Sequence, residues 1–366
     1  MMQIYTAFQG PRIPPRVIAS YITRFVRTGC SSSVMSSFDA LNRYDSPRST
    51  KAAYGTALDL PSDTDMNVIT VVPVALDVEA QRTVETGHPL TIRMPEWLQP
   101  YVAEGCGIAV MIIIGLITNI QSTLTGEKDD PVSPNNVAYA LGWGVGLMAG
   151  LFITIDVSGG HINPAITFTQ ALFRGFPWRR LLGYWLAQMI GSFLGACIVL
   201  GLYNQLLDQY EGHGVRTWRS ATLFIIRAPA WESDIDAFFH EVIGSGLLLL
   251  GVAVVTDPGA AADWQTWAKA LIMNWFFVAV SGCMGIHPGY AINPARDLGV
   301  RLACLAFGYS RELFTDRKWY WTWGCIIGPF VGGTIFTFLY DWVVRGRVEF
   351  TIPGLRRFLH GKRKAV

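Results

Sequence analysis

The tripeptide Asn163-Pro164-Ala165 returns as Asn293-Pro294-Ala295 in the second half of the chain. The apolar stretch each copy opens, of about 11 and about 14 residues, is too short to cross a bilayer at ~1.5 Å per residue but long enough to reach its middle. A glutamate stands upstream of each copy at a similar separation, Glu104 before Asn163 and Glu241 before Asn293. The two halves follow one plan, so the chain is an internal duplication.

Six segments reach the ~20 apolar residues that span a bilayer: about 99–121, 137–156, 181–203, 237–256, 268–287 and 319–341. The chain is 51% hydrophobic and only 15% charged, against about 25% charged in an average soluble protein. The fold class expected is therefore an all-α membrane protein with six transmembrane helices and two re-entrant half-helices. Three spans per half is an odd number. The second repeat must enter from the opposite face, giving an inverted duplicated repeat with the two Asn-Pro-Ala segments approaching each other. Glycines at close-packing spacing (Gly142, Gly146 and Gly150; Gly191 and Gly195; Gly324, Gly328 and Gly332) predict tight helix contacts.

The expected domain organisation is a disordered cytosolic tail over 1–96, a channel domain over 97–345 (repeats about 97–203 and 237–341) and a basic cytosolic tail over 346–366. The segment 1–96 is rich in Ser, Thr, Pro and Arg and holds no run long enough to span. Such composition cannot bury enough apolar surface to offset chain entropy. Start sites at Met35, Met66 or Met94, a transit-peptide-like stretch over 1–38, and phosphorylation of the tail serines are weaker readings of the same segment. Arg174, Arg179 and Arg180 and the tail from Arg345 to Lys364 place both termini and the first Asn-Pro-Ala loop in the cytoplasm, with the plasma membrane as the expected location. These tail bases also suit anionic lipid.

Asparagine is a strong helix N-cap, and proline at the first helical position gives up only an amide that would go unused there. Two such starts meeting at the midplane aim their positive dipole ends and both asparagine amides at one spot. That arrangement repels cations and protons while orienting neutral hydroxyl groups. Gly159, Gly160 and Gly289 suit the re-entrant loops before the half-helices, and buried Glu104 and Glu241 suit as acceptors for the loops' orphan amides. His161 is expected to pack beside its loop, hydrogen-bonded, in the same supporting group. The six cysteines show no CxxC spacing and no metal-ligating pattern, and no cofactor or catalytic residue is expected. A net charge of +2 gives no basic field for nucleic acid.

SGGHINPAIT (158–167) and GYAINPARDLGVRL (289–302), with the upstream glutamates, resemble the major intrinsic protein family of aquaporins and aquaglyceroporins over about 97–345. The resemblance implies a right-handed six-helix bundle, two half-helices, one pore per subunit and a homotetramer. It also maps a selectivity filter onto Trp143, Ser281 or its neighbour Gly282, Tyr290 and Arg296. Asp297 and Arg301 resemble the acid and base of the glycerol-conducting branch. An aromatic pair offers an apolar wall to the CH face of a polyol, and arginine a fork of donors to its hydroxyls. Three departures from that branch stand out: Cys325-Ile326 ahead of Gly328-Pro329, Tyr290 in place of phenylalanine, and Ser281 in place of glycine.

The expected function is a passive channel for glycerol, water and other small neutral solutes, embedded in the lipid bilayer, with no reaction catalysed. The alternative is a water-selective or gated aquaporin with little glycerol flux. A coupled transporter would need an ion relay beyond the two glutamates, and an occluded junction protein would show arrays without flux.

Overall fold

The computed structural model describes residues 92–124, 136–284 and 290–353. The readings made above for the N-terminal tail through position 91, for Gly289 and for the C-terminal positions 354–366 lie outside them. Among the described residues every regular element is helical.

The first repeat holds α1 (Gln99–Leu124), α2 (Asn136–Ser158), the half-helix α3 (Pro164–Phe173) and α4 (Trp178–Leu202). Two short helices, α5 (Asn204–Glu211) and α6 (Trp218–Ala221), lie in the connection that follows. The second repeat holds α7 (Asp234–Val255), α8 (Thr266–Cys283), the half-helix α9 (Pro294–Ala306), α10 (Glu312–Thr322) and α11 (Gly328–Val343), the last two joined by a π-helical turn at Trp323–Ile327. Six spans and two half-helices answer the expected architecture.

One span differs in detail from its sequence reading, and the last has an irregular start close to where the sequence placed it. Lys269 and Asn274 dilute the hydropathy of α8, so five rather than six helices are apolar and long enough to span by composition alone among the described residues. Packing supplies the rest, because α8 lies against α2 and α7. The last span does not begin with α10. Arg317, Lys318 and Trp319 take left-handed φ of 46°, 54° and 69° and break that helix, so the span proper starts near Tyr320. Such φ is costly for side chains of this size. Arg317 offsets it by donating to Pro229 O at 3.0 Å and Glu232 O at 2.7 Å, and by pairing with Asp234 at 2.7 Å.

The helices pair by the same rule in both halves. In the first, α1 packs on α2 and α4; in the second, α7 packs on α8 and α11. Each half-helix leans on the final helix of the other repeat, α9 on α4 and α3 on α11, and α2 meets α8 across the centre. Glycine makes the closest of these contacts possible. A Cβ at Gly191 of α4 would sit 2.0 Å from Gly105 O, and one at Gly332 of α11 would sit 2.0 Å from Val242 O. Gly105 and Val242 each follow their repeat's glutamate, so the two contacts are equivalent. Long apolar side chains such as Leu182, Leu186, Leu194 and Ile198 point outward from the bundle, as lipid-facing residues do.

Two of the basic residues weighed as topology signals are used inside the protein. Arg174 reaches Asp341 with two hydrogen bonds of 2.7 and 2.8 Å, and Arg345 adds a third contact at 3.3 Å. Asp341 is fully buried, and burial of a charge requires such a partner. The pairing joins the end of α3 to the end of α11.

Candidate functional site

Both asparagines stand at the start of their half-helices with extended backbone, and proline takes the first helical position in each. Asn163 Oδ1 accepts the amide of Ala165 at 2.9 Å; Asn293 Oδ1 accepts those of Ala295 and Arg296 at 3.1 and 3.2 Å. With Oδ1 engaged, each Nδ2 is turned away from its own helix. Asn163 Nδ2 donates to Ile292 O at 2.9 Å, and Asn293 Nδ2 donates to Ile162 O at 2.8 Å. The two loops are thus cross-bonded, each asparagine holding the carbonyl that precedes the other.

The residues holding those carbonyls are strained. Ile162 and Ile292 have φ of 38° and 41°, a region that β-branched residues almost never occupy, at a cost of order 1–3 kcal/mol each. Glutamate holds the loops in this shape. Glu104 accepts the amides of His161 (2.9 Å) and Ile162 (2.6 Å), together with Ser158 Oγ (2.6 Å) and Gln188 Nε2 (2.7 Å). Glu241 accepts the amides of Ala291 (2.8 Å) and Ile292 (3.1 Å) and the Tyr320 hydroxyl (3.1 Å). Both carboxylates have no exposure, and the loop amides they accept lie outside any helical ladder that could pair them. Left-handed φ at Gly159 and Gly160 turns the chain into the first loop.

His161 is buried with its ring against Phe176 and Tyr184, at centroid separations of 4.8 and 5.3 Å. Its Nδ1 has no hydrogen-bond partner among the described residues. Its link to the loop network runs through its backbone amide, which donates to Glu104.

A cavity of about 770 Å³ passes through the middle of the bundle. The near face, where α1 begins, contributes Gln170, Thr256 and Lys269; the far face contributes Tyr139, Thr222 and Ile226. Asn163 and Asn293 meet at its centre. Trp143, Ser281, Tyr290 and Arg296, from α2, α8 and the second loop and half-helix, all line it. The guanidinium of Arg296 lies 4.8 Å from the centre of the Trp143 ring. Its Nη1 makes no hydrogen bond among the described residues, with Asp297 Oδ1 3.9 Å away. The hydroxyls of Tyr290 and Ser281 belong to the same lining.

Asp297 and Arg301 stand behind this wall. They pair at 2.5 Å and clamp the connection between the repeats: Arg301 Nη2 donates to Ile226 O, and Asp297 Oδ1 accepts the Ile226 amide at 3.3 Å. The segment Thr222–Ile226 is thereby drawn over the far mouth. The sequence reading assigned this connection no role. Its signals for folding inward, the capping Thr217 and the apolar run Leu223–Ile226, are short and local.

Residues 91–340 match the family described as Major intrinsic protein. The chain belongs to that family. An aquaporin of Laccaria bicolor is 35% identical to this major intrinsic protein over 253 residues, covering 68% of the chain and 81% of the relative. An aquaglycerol porin of Saccharomyces cerevisiae is 34% identical over 240 residues, 65% of this chain and 36% of the longer relative. Among solved structures, the aquaglyceroporin from Plasmodium falciparum superposes with a TM-score of 0.60 at 26% identity, over 68% of this chain and 97% of that one. The fold is thus that of a membrane-embedded channel family, and the duplicated plan read from the sequence is the family's own.

Proposed function

We propose that this major intrinsic protein conducts glycerol and related small neutral solutes, with water, passively through the central cavity. The observation that carries the reading is the composition of the wall where Arg296 faces Trp143. One side offers aromatic carbon, and the other an arginine with a donor unused among the described residues. A polyol, with hydroxyls on one side and CH on the other, satisfies both at once. The names of the yeast and Plasmodium relatives agree with this reading.

Trp143, Ser281, Tyr290 and Arg296 form the selectivity filter. Asn163 and Asn293 form the midplane barrier, where the positive ends of α3 and α9 oppose cations and protons. Glu104, Glu241 and His161 support the two loops, and Asp297 with Arg301 secures the far mouth. No reaction is catalysed. The channel sits in the plasma membrane as a homotetramer with both termini cytoplasmic. Residues 97–345 carry the channel.

The second reading, a water-selective pore, is favoured by Tyr290 and Ser281, whose hydroxyls add polar atoms to the wall. Stopped-flow light scattering on proteoliposomes separates the two. Fast glycerol entry that changes in an Arg296→Ala variant is expected; fast water with glycerol at the level of empty liposomes would establish the second reading instead.

A further inference from the structure

We propose that Asn119 is a positioning residue for the filter: it fixes the Trp143 indole to the folded connection on the far face and so sets glycerol passage relative to water. The inference rests on the polyol-channel reading above.

Asn119 lies in the last third of α1, 5% exposed, and lines the cavity. Its Oδ1 accepts the Trp143 indole Nε1–H at 2.8 Å, and its Nδ2 donates to Leu223 O at 2.8 Å. The orientation of this amide is settled by its partners, since an indole only donates and a backbone carbonyl only accepts. One side chain therefore joins the filter tryptophan to the segment Thr222–Ile226. Asp297 and Arg301 hold that same segment from the second repeat.

The Trp143 ring is fixed on its other sides as well. Gly115 gives it room, because a Cβ there would fall 2.5 Å from the ring, and Arg296 covers its face. What Asn119 adds is chemical. The indole has one donor, and Asn119 consumes it. The ring then presents only carbon to the lumen, and a solute's hydroxyls must turn to Arg296. Without Asn119 the N–H becomes a free donor in the pore and the ring loses the bond that ties it to the connection. Either change weakens the division between apolar and polar walls that favours a polyol.

A buried asparagine needs partners wherever it sits, so the test must reach beyond folding. Full-length protein in proteoliposomes is assayed for water and glycerol permeability as Asn119→Leu, Asn119→Asp, Trp143→Phe and the double variant Asn119→Leu/Trp143→Phe. Asn119→Leu is expected to lower the glycerol-to-water ratio threefold or more. Asn119→Asp keeps an acceptor for the indole and is expected to shift the ratio less. Trp143→Phe keeps an aromatic ring without the donor, so in that background Asn119→Leu is expected to add nothing, the signature of an effect that passes through the bond.

A parent that conducts glycerol with an unchanged ratio in Asn119→Leu, or an equal further shift in the Trp143→Phe background, overturns the role of Asn119 alone. If Asn119→Leu yields no folded channel, Trp143→Phe alone decides: a lowered ratio supports the bond, and the parental ratio overturns it. A parent that passes water and no glycerol overturns the polyol reading, and this inference with it.

Discussion

The two half-helix loops do one job in the same way and another job on one side only. At the midplane they are twins: asparagine cap, proline, left-handed isoleucine, buried glutamate, and a donor to the opposite loop's carbonyl. Beyond Pro-Ala in each half-helix the likeness ends. Ile166 stands in the first where Arg296 stands in the second; Thr167 matches Asp297, and Ala171 matches Arg301. A central barrier must look alike from both directions, because the positive ends of two dipoles have to meet head to head. A filter needs only one narrow place, and a second buried arginine would require a second partner and a second clamp. Symmetry survives where both halves share the load, and it is lost where a single constriction suffices.

The largest test of the shared part is to remove each carboxylate. Glu104→Ala and Glu241→Ala each leave two loop amides without acceptors at about 1–3 kcal/mol apiece, on top of the strain at Ile162 and Ile292. Both variants are expected to lose most of their thermal stability in detergent, read by fluorescence-detected size-exclusion chromatography after heating. Glu104→Ala is expected to fall further, as it also takes an acceptor from Ser158 and Gln188. Parental melting behaviour in either variant would sink the view that glutamate holds the loops.

Arg296→Ile gives the second half-helix the residue of the first. Glycerol-to-water selectivity measured in proteoliposomes is expected to fall about tenfold, while folding is kept because isoleucine is apolar and buried there without a charge to satisfy. Selectivity equal to the parent's would show that the asymmetric residue is not the filter.

Asn163→Ala and Asn293→Ala probe the twin caps. Each is expected to cost about 1–2 kcal/mol, with melting temperatures lowered by similar amounts. A difference of more than about twofold between the two shifts would break the equivalence of the halves. The smallest effect is expected of Tyr320→Phe, which removes one of the donors to Glu241 while keeping the ring. A loss of about 1 kcal/mol in chemical denaturation fits that single bond, and no loss would leave Glu241 held by the loop amides alone.

Much of this site was legible before any fold was known. Proline after asparagine announces a helix start whatever surrounds it, and an isolated glutamate in an apolar run must find donors. Hence the caps and the two loop acceptors followed from local chemistry, and Trp143, Ser281, Tyr290 and Arg296 from the family resemblance converge on one cavity. Asn119 escaped because one polar residue in a spanning helix carries no mark of which neighbour it meets. The break at Arg317–Trp319 escaped too, since none of these residues favours a left-handed backbone; contacts with Pro229, Glu232 and Asp234 impose it.

By itself the sequence placed the six spans, one of them short of the apolar content that marks the other five, together with the duplication, the inversion that an odd number of spans forces, and the two half-helices with their caps. All of these depend on residue spacing and on the bilayer's refusal of unpaired backbone groups. Tertiary structure alone decided which carbonyl each asparagine amide reaches, how the connection between the repeats folds over the far mouth, and what holds the Trp143 indole. Those are contacts between residues far apart in the chain, and only the packing of helices brings such partners within hydrogen-bonding distance.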